Sequence, residues 1–146
     1  MASLTESLPP TPHVETRRWE LTGPEELRSV RGSLHEAIAG KPFSADARLE
    51  EIPEKMVLVA SELATNALKH GRPPSVVRLL RAGNTFVLDV ADHDLSAPPE
   101  YAAGRDAGDG GLGLYLVRDL AFDVGWYVDD DSKTKHVWAQ FPADPA

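Results

Sequence analysis

The sequence predicts an α+β fold, a two-layer sandwich with a mixed or antiparallel sheet and its helices on one face. Three observations lead there. Residues 75–82 and 85–91 are β-branched-rich runs joined by Gly83-Asn84, a tight-hairpin signal. Residues 124–128 and 135–141 form a second such pair around the turn Asp129-Asp130-Asp131-Ser132. The helical periodicities fall elsewhere, not between strands as crossovers, so the sheet buries one face against gathered helices.

The elements follow in order. Residues 1–12 are rich in Ser, Thr and Pro, ending in Leu8-Pro9-Pro10-Thr11-Pro12, and read as a disordered tail, as do residues 142–146. One domain, residues 13–141, lies between them. It opens with a strand around Val14 and Trp19. Thr22-Gly23-Pro24-Glu25-Glu26 then starts a helix, because Pro in the first turn forfeits no hydrogen bond and acids favour the positive end of the dipole. That helix runs to Ala39 and stops at Gly40. A second spans 53–70, closed by Gly71 with Pro73 and Pro74 beyond it. Its apolar stripe is Ile52, Met56, Val59, Leu63 and Ala67. After the first hairpin comes a loop of about 96–111, then a third helix over 112–121, then the closing hairpin.

Composition limits the function. With 146 residues, 42% of them hydrophobic and 26% charged, the chain makes one ordinary globular domain. Fifteen Lys+Arg against 23 Asp+Glu leave a net charge of -8, which repels phosphate backbones and anionic lipids. Nucleic acid and membrane surfaces are therefore poor partners. The absence of cysteine excludes thiol catalysis, Cys-based zinc sites and a disulfide framework, and suits a reducing, cytoplasmic setting. The N-terminus shows no targeting signal and no run approaches the ~20 apolar residues of a membrane span.

Three features carry candidate chemistry. On the second helix Asn66 lies beside the apolar stripe with Glu62 one turn earlier on the same side. An amide oxygen suits Mg²⁺ and a carboxylate can accept a hydroxyl proton, although the pair equally describes a solvated helix edge. Asp92 ends a strand on the side of Phe86, Leu88 and Val90, the core side, where it either accepts a hydrogen bond from an exocyclic amine such as that of adenine or caps the next turn. Gly108, Gly110, Gly111 and Gly113 open the third helix, either as a phosphate cradle or as a plain connector. They do not follow a strand, which rejects a dinucleotide-binding fingerprint. There is no Walker A string, no zinc helix, no EF-hand loop and no Gly-x-Ser-x-Gly elbow.

Taken in order, Glu62-x-x-x-Asn66, Asp92 after a strand, and Gly108-x-Gly110-Gly111-Leu112-Gly113 opening a helix resemble the GHKL superfamily of ATPases and kinases, with its Bergerat ATP-binding fold. Within it, the string from Ser61 to Gly71 is similar to the second-helix string of stand-alone bacterial anti-sigma-factor serine/threonine kinases. The resemblance spans about residues 14–141. It implies that Glu62 is the catalytic base, that Asn66 is the ligand of the Mg²⁺ bridging the ATP phosphates, and that Asp92 contacts the adenine amine. It adds Lys69, His70, Gly71, Gly108, Gly110, Gly111, Leu112, Gly113 and His136 to the ATP-binding set. Two departures stand out: Asp92-His93-Asp94-Leu95-Ser96 lacks both glycines of the family's Asp-x-Gly-x-Gly, and His136 precedes Val137-Trp138 where a Thr is usual. The implied partners are ATP, a sigma factor, its antagonist protein and a second copy of the chain; the implied activity is phosphorylation of the antagonist, or sequestration alone.

Overall fold

The computed structural model describes residues 5–39, 52–95 and 117–143. Strand β1 (Val14–Leu21) leads through a 3-10 turn (Pro24–Glu26) into helix α1 (Leu27–Ala39). The Glu26 carboxylate accepts the backbone N–H of Thr22 at 2.8 Å and of Gly23 at 3.0 Å, so the predicted start signal is used. Helix α2 (Ile52–His70) follows, then β2 (Ser75–Ala82), β3 (Thr85–Asp92), β4 (Asp123–Asp129) and β5 (Thr134–Pro142). Gly83 in the first hairpin takes φ +59, a left-handed conformation that glycine adopts without a Cβ clash.

The five strands are all antiparallel, in the order β1-β2-β3-β5-β4. The fold is the predicted α+β sandwich. Strand β5 inserts between β3 and β4, so the two hairpins join through the β3–β5 pairing. Alternation gives the sheet two unlike faces. The inner face presents Val77, Leu79, Leu88, Val90, Ala139 and Phe141 to the helices, which return Leu34, Met56, Val59 and Leu63 to the same core. The stripe expected on α2 is buried as expected, with Ile52 at its partly buried end. His35 Nε2 and Glu54 Oε1, 2.7 Å apart and both buried, tie α1 to α2.

The outer face carries a smaller cluster of Leu80, Ala82, Val87 and Trp138, with Tyr127 against it. Here the N-terminal segment departs from the expectation of a tail. Ser7 N–H donates to the Trp126 carbonyl at 2.8 Å, Trp126 N–H donates to Thr5 at 3.2 Å, and the Trp138 indole N–H donates to Ser7 at 2.8 Å. Gly125 admits this contact, since a β-carbon there would run into Ser7 Oγ. Pro9 is buried. From Ser7 beside β4 the chain runs through residues 8–13 to Val14 in β1, the opposite edge strand. Tryptophan amides and indoles in need of partners capture a segment whose composition alone gives no reason to order.

The third helix is described only over 117–120, where Val117 joins the core and Ala121 N–H closes the last turn on Val117. At the C-terminus, β5 runs through Pro142 and Ala143 N–H donates to Asn84 at 3.0 Å, so the strand outlasts the expected boundary.

Candidate functional site

The site is laid out along α2 and the end of β3. Alternation aims Asp92 inward with Leu88 and Val90, and it is 5% exposed. Its Oδ1 accepts the Asp94 N–H at 2.7 Å, so the missing glycines are replaced locally by an Asx turn. His93 N–H donates to the Arg72 carbonyl at 3.0 Å, pinning the strand end to the segment leaving α2. Gly71, whose N–H closes on Ala67 at 2.9 Å, lies against the Asp92 carboxylate. Gly71 and Asp92, both in the ATP-binding set that the resemblance implies, are thus in direct contact.

Asn66 precedes Gly71 by five residues and Glu62 by nine, which at the helical rise places them about 7.5 and about 13.5 Å further along the axis. Both are half-buried, on the same side. Asn66 Oδ1 is buried and has no hydrogen-bond partner among the described residues. An unsatisfied buried carbonyl oxygen costs about 1–3 kcal/mol, and a hard cation such as Mg²⁺ is the kind of group that would satisfy it. Lys69 is exposed on the last turn of α2, and of His70 only the backbone is described. Gly108, Gly110, Gly111, Leu112 and Gly113 lie outside the described residues.

His136 is not part of this group. Val137, Ala139 and Phe141 face the helices, so His136 faces the other way. On the outer face its Nδ1 is 2.6 Å from Asp89 Oδ1, its Nε2 is 2.7 Å from Thr134 Oγ1, and its ring stacks on Tyr127 at 4.5 Å between centroids. Asp89 Oδ2 accepts the Tyr127 hydroxyl at 2.6 Å and lies 3.2 Å from Arg78 Nη2. Burial pushes the Asp89 carboxyl upward, but the His136 hydrogen bond and charge, Arg78 and Tyr127 together hold it below the usual carboxylate range. Burial, with the Asp89 carboxylate beside it, pushes the Tyr127 phenol up.

Strand register sets two residues that sequence reasoning missed beside the end of β3. Lys135 pairs with Asp92 across β3 and β5, and its Nζ is 4.0 Å from Asp92 Oδ2. Ser75, one position beyond the Val76–Ala91 pair, is fully buried, and its Oγ has no partner among the described residues. Neither carries a motif, and their relevance depends on strand register.

An antiparallel sheet covered on one face by helices, with a buried carboxylate where β3 meets the end of α2 and with an amide and a second carboxylate spaced along that helix, offers groups that could hold a nucleotide. The family described as the histidine kinase-like ATPase domain matches residues 22–141, and the chain belongs to it. No curated protein matches the chain significantly. Among the described residues, no helix is long and apolar enough to cross a membrane.

Proposed function

We propose that this ATPase- and kinase-like domain is an ATP-dependent protein serine/threonine kinase of the anti-sigma-factor type, acting in the cytoplasm on an antagonist protein and holding a sigma factor. The reading is carried by the linear order along α2: an adenine-facing carboxylate at the Gly71 end, the unsatisfied amide of Asn66 next, and Glu62 furthest away. An extended nucleotide laid along that line puts its base at Asp92 and its terminal phosphate toward Glu62. Asp92 Oδ2 accepts the exocyclic amine, with Lys135 beside it. Bound Mg²⁺, held by Asn66 and phosphate oxygens, would neutralise phosphate charge. The Glu62 carboxylate takes the proton of a serine or threonine hydroxyl on the antagonist as that oxygen bonds to the γ-phosphorus. The bond to the bridging oxygen then breaks and ADP leaves. Phosphoryl transfer demands mostly positioning and charge neutralisation, which these groups supply.

Radiolabel transfer from ATP to a co-purified antagonist tests the reading. Glu62→Ala is expected to keep ATP binding and lose about 10² to 10⁴ in transfer rate, the usual effect of one positioned base. A variant as fast as the parent moves the base elsewhere. ATP binding with no transfer by either protein assigns the chain to regulation by sequestration alone.

A further inference from the structure

The outer-face network has a use that nucleotide binding leaves untouched. Its members form one chain of hydrogen bonds: Asp89 Oδ1 to His136 Nδ1 at 2.6 Å, His136 Nε2 to Thr134 Oγ1 at 2.7 Å, and Thr134 Oγ1 to Ser132 Oγ at 2.6 Å. Asp89 is 0% exposed, His136 8% and Thr134 9%, whereas Ser132 is exposed in the β4–β5 turn. A buried carboxylate, an imidazole and a hydroxyl are therefore joined in the order that activates a nucleophile, with one further hydroxyl carrying the connection to solvent.

The tautomer follows from the partners. Asp89 is held ionised and only accepts, so in the neutral imidazole Nδ1 carries the proton and Nε2 offers its lone pair to Thr134. Tyr127 stacks on the ring and Arg78 holds the far oxygen of Asp89, which fixes the imidazole in place. At the open end, the single Ser132 hydroxyl proton can go either to Thr134 or to Asp129, and its bond to Asp129, first among several, holds that carboxyl low. The Ser132 hydroxyl proton thus has an acceptor on either side. Lys133, next in the turn, sits at φ 58, where a non-glycine residue carries about 1–2 kcal/mol of strain. Strained backbone beside a relay is a feature of reactive turns.

We propose that Ser132 is a nucleophilic acceptor of activated acyl groups, served by Thr134, His136 and Asp89 as a proton relay. Ser132 Oγ bonds to the acyl carbonyl carbon. Its proton passes to Thr134 Oγ1 as the Thr134 proton passes to His136 Nε2, and the bond from the acyl carbon to its leaving group breaks. The product is an ester on Ser132, and the imidazolium returns its proton to solvent. This modification site is on the face opposite the nucleotide site and does not depend on ATP.

The probe is p-nitrophenyl acetate, read by nitrophenolate release and by peptide mapping of the acetylated full-length chain. One acetyl group per chain is expected at Ser132, faster than at any other serine. Thr134→Val, which keeps the shape and removes the hydroxyl, is expected to slow Ser132 acetylation by about 10²-fold or more, and Thr134→Ser to restore it. The parent's pH profile should show one ionisation that disappears in His136→Gln; Asp89, Tyr127 and Asp129 are the other titrating groups facing the relay and remain in that variant. Thermal unfolding of each variant separates lost chemistry from lost structure, and Thr134→Ser keeps the proposal exposed if Thr134→Val is unstable. Acetylation of Ser132 at the rate of other exposed serines, or equal rates with valine and serine at 134, would overturn it and leave the network as support for Asp89 alone.

Discussion

The backbone of Gly71 abuts the carboxylate of Asp92 so closely that a β-carbon at position 71 would run into Asp92 Cγ and Oδ2 and into the Ala67 carbonyl. The end of α2 and the end of β3 are therefore fitted to each other at a single missing side chain. The carboxylate is aimed by the absence of an atom, in addition to the turn that Asp94 makes with it.

Gly71→Ala is expected to destabilise the fold by about 1–3 kcal/mol, as overpacking does, and to weaken ATP binding by displacing Asp92. Thermal unfolding and titration calorimetry check both. In a background of Asp92→Ala the extra methyl meets no carboxylate, so the two substitutions should cost less together than the sum of each alone. Additive losses would show that the contact is not what position 71 requires.

Asn66→Ala is expected to lower affinity for Mg-ATP about tenfold or more, about 1.4 kcal/mol per factor of ten, by removing the amide oxygen that has no partner among the described residues. Calorimetry with chelator present should bring the two proteins together, because the amide then has no ion to hold. Equal affinity in the presence of Mg²⁺ would sink the assignment.

The buried Asp89 predicts a pH dependence of stability. Its folded-state carboxyl is depressed below the unfolded value, near 3.9 for an ordinary aspartate, so its contribution is present above that value and is lost as pH falls through the folded one. Asp89→Asn is expected to cost about 3–5 kcal/mol at neutral pH, the usual penalty for removing one partner of a buried ion pair, and to lie closer to the parent below about pH 4. Melting temperatures of both proteins from pH 7 to pH 2 test this; a gap that stays constant over the range would refute it.

The parts legible in the sequence were those with local causes. The stripe from Ile52 to Ala67 obeys the helical period, Gly83-Asn84 dictates a hairpin, and alternation along β3 correctly aims Asp92 inward. The less legible parts depend on which strands meet. Alternation along residues 135–141 shows that Lys135 and His136 face opposite ways, but only the insertion of β5 beside β3 sets Lys135 against Asp92 and His136 against Asp89. The resemblance put His136 in the ATP-binding set, whereas the register places its side chain on the outer face against Asp89. Proline-rich composition likewise could not foresee that Trp126 and Trp138 hold the segment from Thr5 to Ser7.

That segment also imposes an order in time. Ser7 and Trp138 are separated by 131 positions, and Trp126 is nearly as distant from Thr5. During synthesis Thr5 and Ser7 leave the ribosome long before the strands that hold them. Contacts of such long sequence separation form slowly and late. Until β5 emerges, Leu80 and Val87 on the outer side of the sheet lack Trp138, leaving a nascent chain with an apolar surface that the finished protein conceals. Docking of Thr5 and Ser7 is thus a closing step of folding, and the newborn chain is the form most in need of a chaperone.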